Sequence, residues 1–366
     1  MAPLSDILIL DFSTLLPGPM ATLFLADAGA EVIKIERPGA GDEMRSYIPA
    51  VEGEGVNFAM LNRGKESIAI NLKDPDAKTR LMPLLERADV VIEQFRPGVM
   101  ARLGLGYEDI RAVNPDIIYC SISGWGASGP KATVAAHDLN FMAETGILGL
   151  TCGADGAPIL PPVLAGDIAG GAYPALINIL LALRQRDKTG EGAWLDVSMG
   201  DNLFPFLYWA LGNANALERW PVAGGETVTG GTPRYRIYRT KDDRFIAAAP
   251  LEDKFWANFC AIIGLASEFI EDARDPAASI AAVQEAIGAE DAAHWQEAFA
   301  GKDVCCSLVM NLQEALADPH WQARGLFGTK LEIAGKTVPA LPSILAPSLR
   351  SASVVAKAPK LGSRDL

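Results

Sequence analysis

Histidine and cysteine are scarce in this chain. Its 366 residues hold three histidines and five cysteines. Cys120, Cys152, Cys260, Cys305 and Cys306 fit no metal-ligand spacing, and the adjacent Cys305 and Cys306 make a poor disulfide framework. The cysteines therefore read as buried free thiols, and no metal site is expected. Basic residues are also in deficit, 32 Lys and Arg against 45 Asp and Glu, for a net charge of −13. That balance excludes general nucleic-acid binding, which needs a basic footprint. A local group of arginines can still oppose the overall field around a phosphate-bearing ligand. No apolar run is long enough to cross a bilayer; residues 173–183 fit a buried helix instead. The amino terminus lacks the basic start and cleavage site of a secretory signal, so a cytoplasmic location is expected. Repeats and coiled-coil heptads are missing as well.

What is present is an alternation of short apolar strands with helices. With 49% hydrophobic and 21% charged residues, the chain can bury two cores. Residues 7–11, 31–36, 67–72, 88–93 and 117–120 read as strands, and helical patterns lie over 17–28, 76–87, 97–99 and 107–113. Residues 193–198 add another strand after a long apolar helix at 168–186. The pattern predicts an α/β fold of the doubly wound kind, a mostly parallel sheet covered by helices. Residues 49–64 read as irregular. Residues 201–217 are aromatic and apolar, either core helix or oligomer contact. A large domain is expected over 1–200, a linker over 201–225, a smaller α+β domain over 226–300, and a carboxyl-terminal part over 301–366. From Ser351 the chain reads as a peripheral tail.

The first strand–helix turn does not support a dinucleotide site. Glu36 ends the second strand where a ribose-binding carboxylate would stand, but Leu16-Pro17-Gly18-Pro19-Met20-Ala21 lacks the three spaced glycines. No nucleophile elbow occurs either, since Ser121-Ile122-Ser123-Gly124-Trp125-Gly126 has the wrong pattern. That loop either wraps a ligand or simply turns the chain. Arg37, Arg96 and Arg102 each follow a strand, so a parallel sheet gathers them at one edge, where Lys73 adds a point charge. Together they favour a phosphate-bearing ligand over isolated surface cations.

Two residues stand out as proton carriers. His137, among small apolar neighbours, is either a core histidine or a group that exchanges protons near neutrality. Asp167, before the long apolar helix, is either its N-cap, a proton acceptor, or a nucleophile toward a thioester. Glu252 either caps its own helix or orients His137. His294 and His320 read as surface residues.

These residues carry a resemblance. The segments Leu15-Leu16-Pro17-Gly18-Pro19, Ile35-Glu36-Arg37-Pro38, Phe95-Arg96-Pro97-Gly98, Ser123-Gly124-Trp125-Gly126, Ala165-Gly166-Asp167 and Gly230-Gly231-Thr232-Pro233 span nearly the whole chain. In series they resemble the family III coenzyme A transferases of the CaiB/BaiF type, most closely the α-methylacyl-CoA racemase branch. The resemblance implies a large Rossmann-like domain plus a smaller one, with the carboxyl-terminal part returning to the large domain. It also implies a homodimer with interlocked subunits. It implies an acyl-CoA substrate, with CoA carried as the thioester and no prosthetic group. Arg37, Lys73, Arg96 and Arg102 match positions that hold the nucleotide and phosphates. Ile70, Asn71, Leu72, Gln94, Phe95, Ala136, Asp138 and Phe141 match the groove around them. His137 and Asp167 match the pair acting on opposite faces of the α-carbon, assisted by Glu252. In the transferase branch the aspartate instead carries the acyl group, so CoA transfer between carboxylic acids is the alternative. The enolate oxygen is expected to meet backbone N–H groups near the start of the Asp167 helix.

Overall fold

The computed structural model describes residues 2–153, 155–350 and 355–366. The chain divides into two compact units, one of Met1–Thr145, Pro161–Phe206 and Gln322–Leu366, the other of Gly146–Leu160 and Leu207–Trp321. Where the sequence places a linker at 201–225, the chain forms the 3-10 turns Asp201–Leu207 and the helix Tyr208–Leu217. It re-enters the first unit at Gln322, later than residue 301.

The first unit is built on six parallel strands: β1 (Leu8–Asp11), β2 (Glu31–Glu36), β3 (Glu66–Ala69), β4 (Val90–Glu93), β5 (Ile118–Ser123) and β6 (Ala193–Ser198). Their order is β3-β2-β1-β4-β5-β6. The central strands β1 and β4, buried on both faces, need apolar side chains on both and read as nearly continuous runs, whereas the edge strand β6 alternates. Leu8 and Leu10 join Ile33, Ile68 and Leu81 in one core, while Ile9 points to the opposite face. After β3, a helix at Ala77–Leu85 closes this core with Leu81, Leu84 and Leu85 at helical spacing. On the other face lie α1 (Pro17–Asp27), which opens on proline as a first turn permits, and the long helix Tyr173–Thr189.

The chain leaves β1 toward β2 and β3 in one direction and later toward β4, β5 and β6 in the other. Between β1 and β4 the winding reverses, and a crevice opens at the carboxyl ends of the strands. That reversal fixes where a ligand can lie.

The segment 49–64, irregular by sequence, holds α2 (Val56–Asn62). Its Ala59 packs with Leu331 and Ile333 of a small sheet formed by Lys330–Ile333, Lys336–Pro339 and Val355–Lys357, and with Ala340 just beyond the second strand. The tail expected from Ser351 is thus corrected in part. Residues 351–354 lie outside the described residues, but Val355–Lys357 pairs in parallel with Lys330–Ile333. Arg364 donates to Ser67 O and pairs with Glu31 and Glu66.

One helical run, Gly166–Thr189, is apolar and long enough to cross a membrane by length and composition. Half of its most apolar window is buried, and it packs on α1, β5 and β6, as a core helix does. In 201–217 the purely core reading fails, since Phe204, Phe206, Tyr208 and Leu217 are exposed. Cys120 and Cys260 are buried free thiols, as expected, but Cys305 is exposed.

The second unit carries a three-stranded antiparallel sheet, Cys306–Leu308, Phe245–Ala248 and Arg236–Arg239 in that order. Its core joins Tyr238 and Ile246 to Trp256, Phe259, Ile287, Trp295 and Phe299 from three helices.

Candidate active site

Two neighbouring cavities occupy the carboxyl edge of the parallel sheet, and Phe95, just beyond β4, lines both. The first, about 460 Å³, is bordered by Phe12 and Thr14 after β1, Glu36 and Arg37 at the end of β2, residues 70–73 after β3, and Arg102. The second, about 360 Å³, is bordered by Leu15, Pro17, Gln94, Arg96, residues 122–124 at the end of β5, and Met199 after β6. His137, Asn140, Phe141 and Asp167 complete it. Every strand end therefore contributes to one cavity or the other.

The cations expected from the sequence are at hand. Arg37, Lys73 and Arg102 line the larger cavity and Arg96 the smaller. Among the described residues, Lys73, Arg96 and Arg102 form no ion pair, whereas Arg37 meets Glu43 at 3.2 Å and donates through Nε to Gly41 O. Glu36 is unavailable to a ribose. Its two oxygens accept from Arg45, Ser67 and the Asp42 N–H. Burial alone would raise its pKa, but those donors hold it below the ordinary carboxylate value.

His137 is exposed on the cavity wall, so it is not a core histidine. It is the N-cap residue of the helix Asp138–Glu144, and its own N–H donates to Asn140 Oδ1 at 2.9 Å. The capping leaves the imidazole at the start of the helix, free of any cap bond.

Asp167 is not an N-cap. It lies inside a π-helical segment, Gly166–Ala172, whose wide turns run directly into the helix Tyr173–Thr189. Such wide turns occur mostly as single interruptions of α-helices, often at functional sites. Close approach makes this segment possible, because a Cβ on Gly170 would stand 2.3 Å from Met199 O, and one on Gly171 2.9 Å from Pro17 Cβ. Burial, and then the charge of Asp138, raise the Asp167 carboxyl to about 6; His137 pulls the other way.

Asp138 does not line either cavity. It is buried behind Asp167 and accepts the Asp167 N–H at 2.9 Å. The other groove residues matched by resemblance all border one of the two cavities. The backbone donors expected for an enolate oxygen are already engaged, since Asp167 N–H serves Asp138 and Ile168 N–H serves Leu164 O. Ser123 borders the smaller cavity, but its hydroxyl oxygen is buried and unpartnered among the described residues.

Glu252 belongs to the second unit, is exposed, and makes no side-chain cap to its helix Asp253–Ile263. His294 and His320 are exposed. Sequence reasoning overlooked Asp42 and Glu43 in the larger cavity and Leu15 in the smaller. Only Leu15 left a trace, as part of a loop preceding Pro17.

Comparison with known proteins gives a consistent picture. The model of CoA-transferase family III matches residues 4–365. Acetyl-CoA:oxalate CoA-transferase of Acetobacter aceti is 36% identical, over 88% of this chain and 85% of that protein. Alpha-methylacyl-CoA racemase of Homo sapiens is 32% identical, over 90% of this chain and 83% of that one. The crystal structure of a CaiB/BaiF family protein from Brucella suis superposes with a TM-score of 0.85 at 29% identity, covering 99% of this chain and 97% of that one.

Proposed function

Because the chain belongs to CoA-transferase family III, we propose that it racemises or epimerises the α-carbon of 2-methyl-branched acyl-CoA thioesters. The observation that carries this reading is that His137 and Asp167 border one cavity, the carboxyl raised to about 6. A carboxyl raised that far keeps its proton closer to neutrality than an ordinary aspartate, so it can return one to the α-carbon.

In this proposal the nucleotide and its phosphates occupy the larger cavity with Arg37, Lys73 and Arg102, and the pantetheine arm passes Phe95 with Arg96 beside it. The thioester lies between His137 and Asp167. The neutral imidazole removes the α-proton, and the electron pair of the C–H bond moves onto the thioester oxygen. Protonated Asp167 then returns a proton to the opposite face. The reverse reaction begins from imidazolium and carboxylate, which hold the same number of protons. CoA enters only as part of the substrate, with no prosthetic group.

The chain is proposed to work in the cytoplasm as an interlocked homodimer. Exposed large apolar residues, Ile177 and Leu181 on one helix and Phe204 and Phe206 after β6, support burial against a second copy. Light scattering reporting a monomer at micromolar concentration refutes that part.

CoA transfer is the second reading, favoured by relatives such as the Acetobacter aceti transferase. There Asp167 attacks the thioester carbonyl and carries the acyl group. Incubation of acyl-CoA in deuterated water separates the two. Label entering the α-carbon without an acceptor acid supports racemisation; no label, with CoA moving to an added acid and hydroxylamine trapping Asp167, replaces it with transfer.

A further inference from the structure

We propose that Asp42, held by Lys34, is a positioning residue that couples a filled nucleotide cavity to the shape of the catalytic cleft. This rests on the reading of the ligand as a CoA thioester.

Lys34 puts a charge inside a buried strand, and Asp42, which caps the short turn Glu43–Ser46, is buried opposite it. Lys34, in the middle of β2, and Asp42 are both shut off from solvent, and Lys34 Nζ lies 2.9 Å from Asp42 Oδ2. A pair that dry is costly to keep for stability alone and is retained where it fixes one geometry. The rest of its bonds say which geometry. Lys34 Nζ donates to Ser13 O at 2.7 Å, and Asp42 accepts the Leu15 N–H at 3.1 Å and the Met44 N–H at 2.9 Å. Leu15 has φ of +61°, a left-handed conformation that a branched side chain adopts only when held. The grip on its N–H is that hold.

The segment from Phe12 to Pro17 runs along both cavities: Phe12 and Thr14 border the nucleotide side, Leu15 and Pro17 the catalytic side. Pro17 in turn packs beside Gly171, in the π-helical turns that carry Asp167. At the other end, Arg37 holds the two residues flanking Asp42, donating to Gly41 O and pairing with Glu43. A phosphate that draws on Arg37 therefore acts on the turn bearing Asp42, and Asp42 acts on the wall facing the α-carbon. Binding energy from the remote end of the substrate is in this way spent at the reacting centre.

The test uses a substrate cut in two. An acyl-pantetheine thioester, lacking the nucleotide, is turned over with and without adenosine 3′,5′-bisphosphate, reading α-proton exchange or CoA-type transfer to an added acid. In the native protein the free nucleotide raises kcat for the fragment about tenfold, a usual size for coupled sites. In Asp42→Asn the stimulation drops below about twofold at nucleotide concentrations that calorimetry shows to saturate the variant. If loss of charge opposite Lys34 prevents folding, the double variant Lys34→Met/Asp42→Asn, which removes both buried charges, carries the test. Nucleotide that binds without stimulating the native protein overturns the proposal, as does full stimulation in the variant. A native protein that turns over intact acyl-CoA but shows no stimulation sinks the coupling alone. One inert toward intact acyl-CoA sinks the functional reading along with it.

Discussion

Replacing Asp167 with asparagine is expected to make the protein more stable at alkaline pH and nearly inactive. The carboxyl is raised from 3.8 to about 6, chiefly by burial and next by the charge of Asp138. A tenfold change in a proton equilibrium is worth about 1.4 kcal/mol, which puts a ceiling of about 3 kcal/mol on the cost of ionising Asp167 in the folded state. The side chain borders an open cavity, so solvent reduces this to about 2 kcal/mol. The sign follows from proton counting. Between pH 4 and 6 the folded protein holds a proton at Asp167 that the unfolded chain has released, so the group's contribution falls as pH rises through that window. Above about 6 the penalty is paid in full, and below about 4 it is absent. Asparagine keeps the shape and the backbone bond to Asp138 but cannot ionise. Urea denaturation at pH 8 should place Asp167→Asn about 2 kcal/mol above the native protein, a gain of several degrees in Tm. At pH 4.5 the difference should shrink well below that. An equal difference at both pH values, or a less stable variant at pH 8, refutes the account of why this carboxyl is perturbed.

The remaining predictions concern the cavity walls. His137→Ala should lower α-proton exchange about a hundredfold or more while CoA affinity measured by calorimetry stays near native; retention of full exchange removes the imidazole from the reaction. Asp138→Asn should lower the pKa governing the pH–rate profile, because it deletes the like charge behind Asp167; an unmoved profile contradicts that role. Arg102→Ala should weaken CoA binding about tenfold to a hundredfold, the worth of one charge-assisted phosphate contact, with a shallower salt dependence than the native protein. Gly170→Ala should cost about 1–3 kcal/mol in urea denaturation, since the added methyl carbon meets Met199 O at 2.3 Å.

By itself the sequence determined the alternation of strands and helices, the parallel sheet, and the family. A mostly buried strand is largely apolar and an edge strand alternates, so residues 31–36 and 193–198 announce themselves locally with the bounds the structure gives them. A parallel sheet also sends all strand ends to one edge, which made Arg37, Lys73, Arg96 and Arg102 legible as a group before any contact was known. Tertiary structure alone decided which charged groups are free and which are committed. Glu36 looks like a ribose ligand until Arg45 and Ser67 occupy it. Asp138 reads as groove lining until its carboxylate is found under the Asp167 N–H, 29 residues on. Asp42 gives no local sign of reaching Leu15, 27 residues back. Backbone periodicity is written in neighbouring residues, whereas a hydrogen bond between distant segments exists only once the sheet has set their separation.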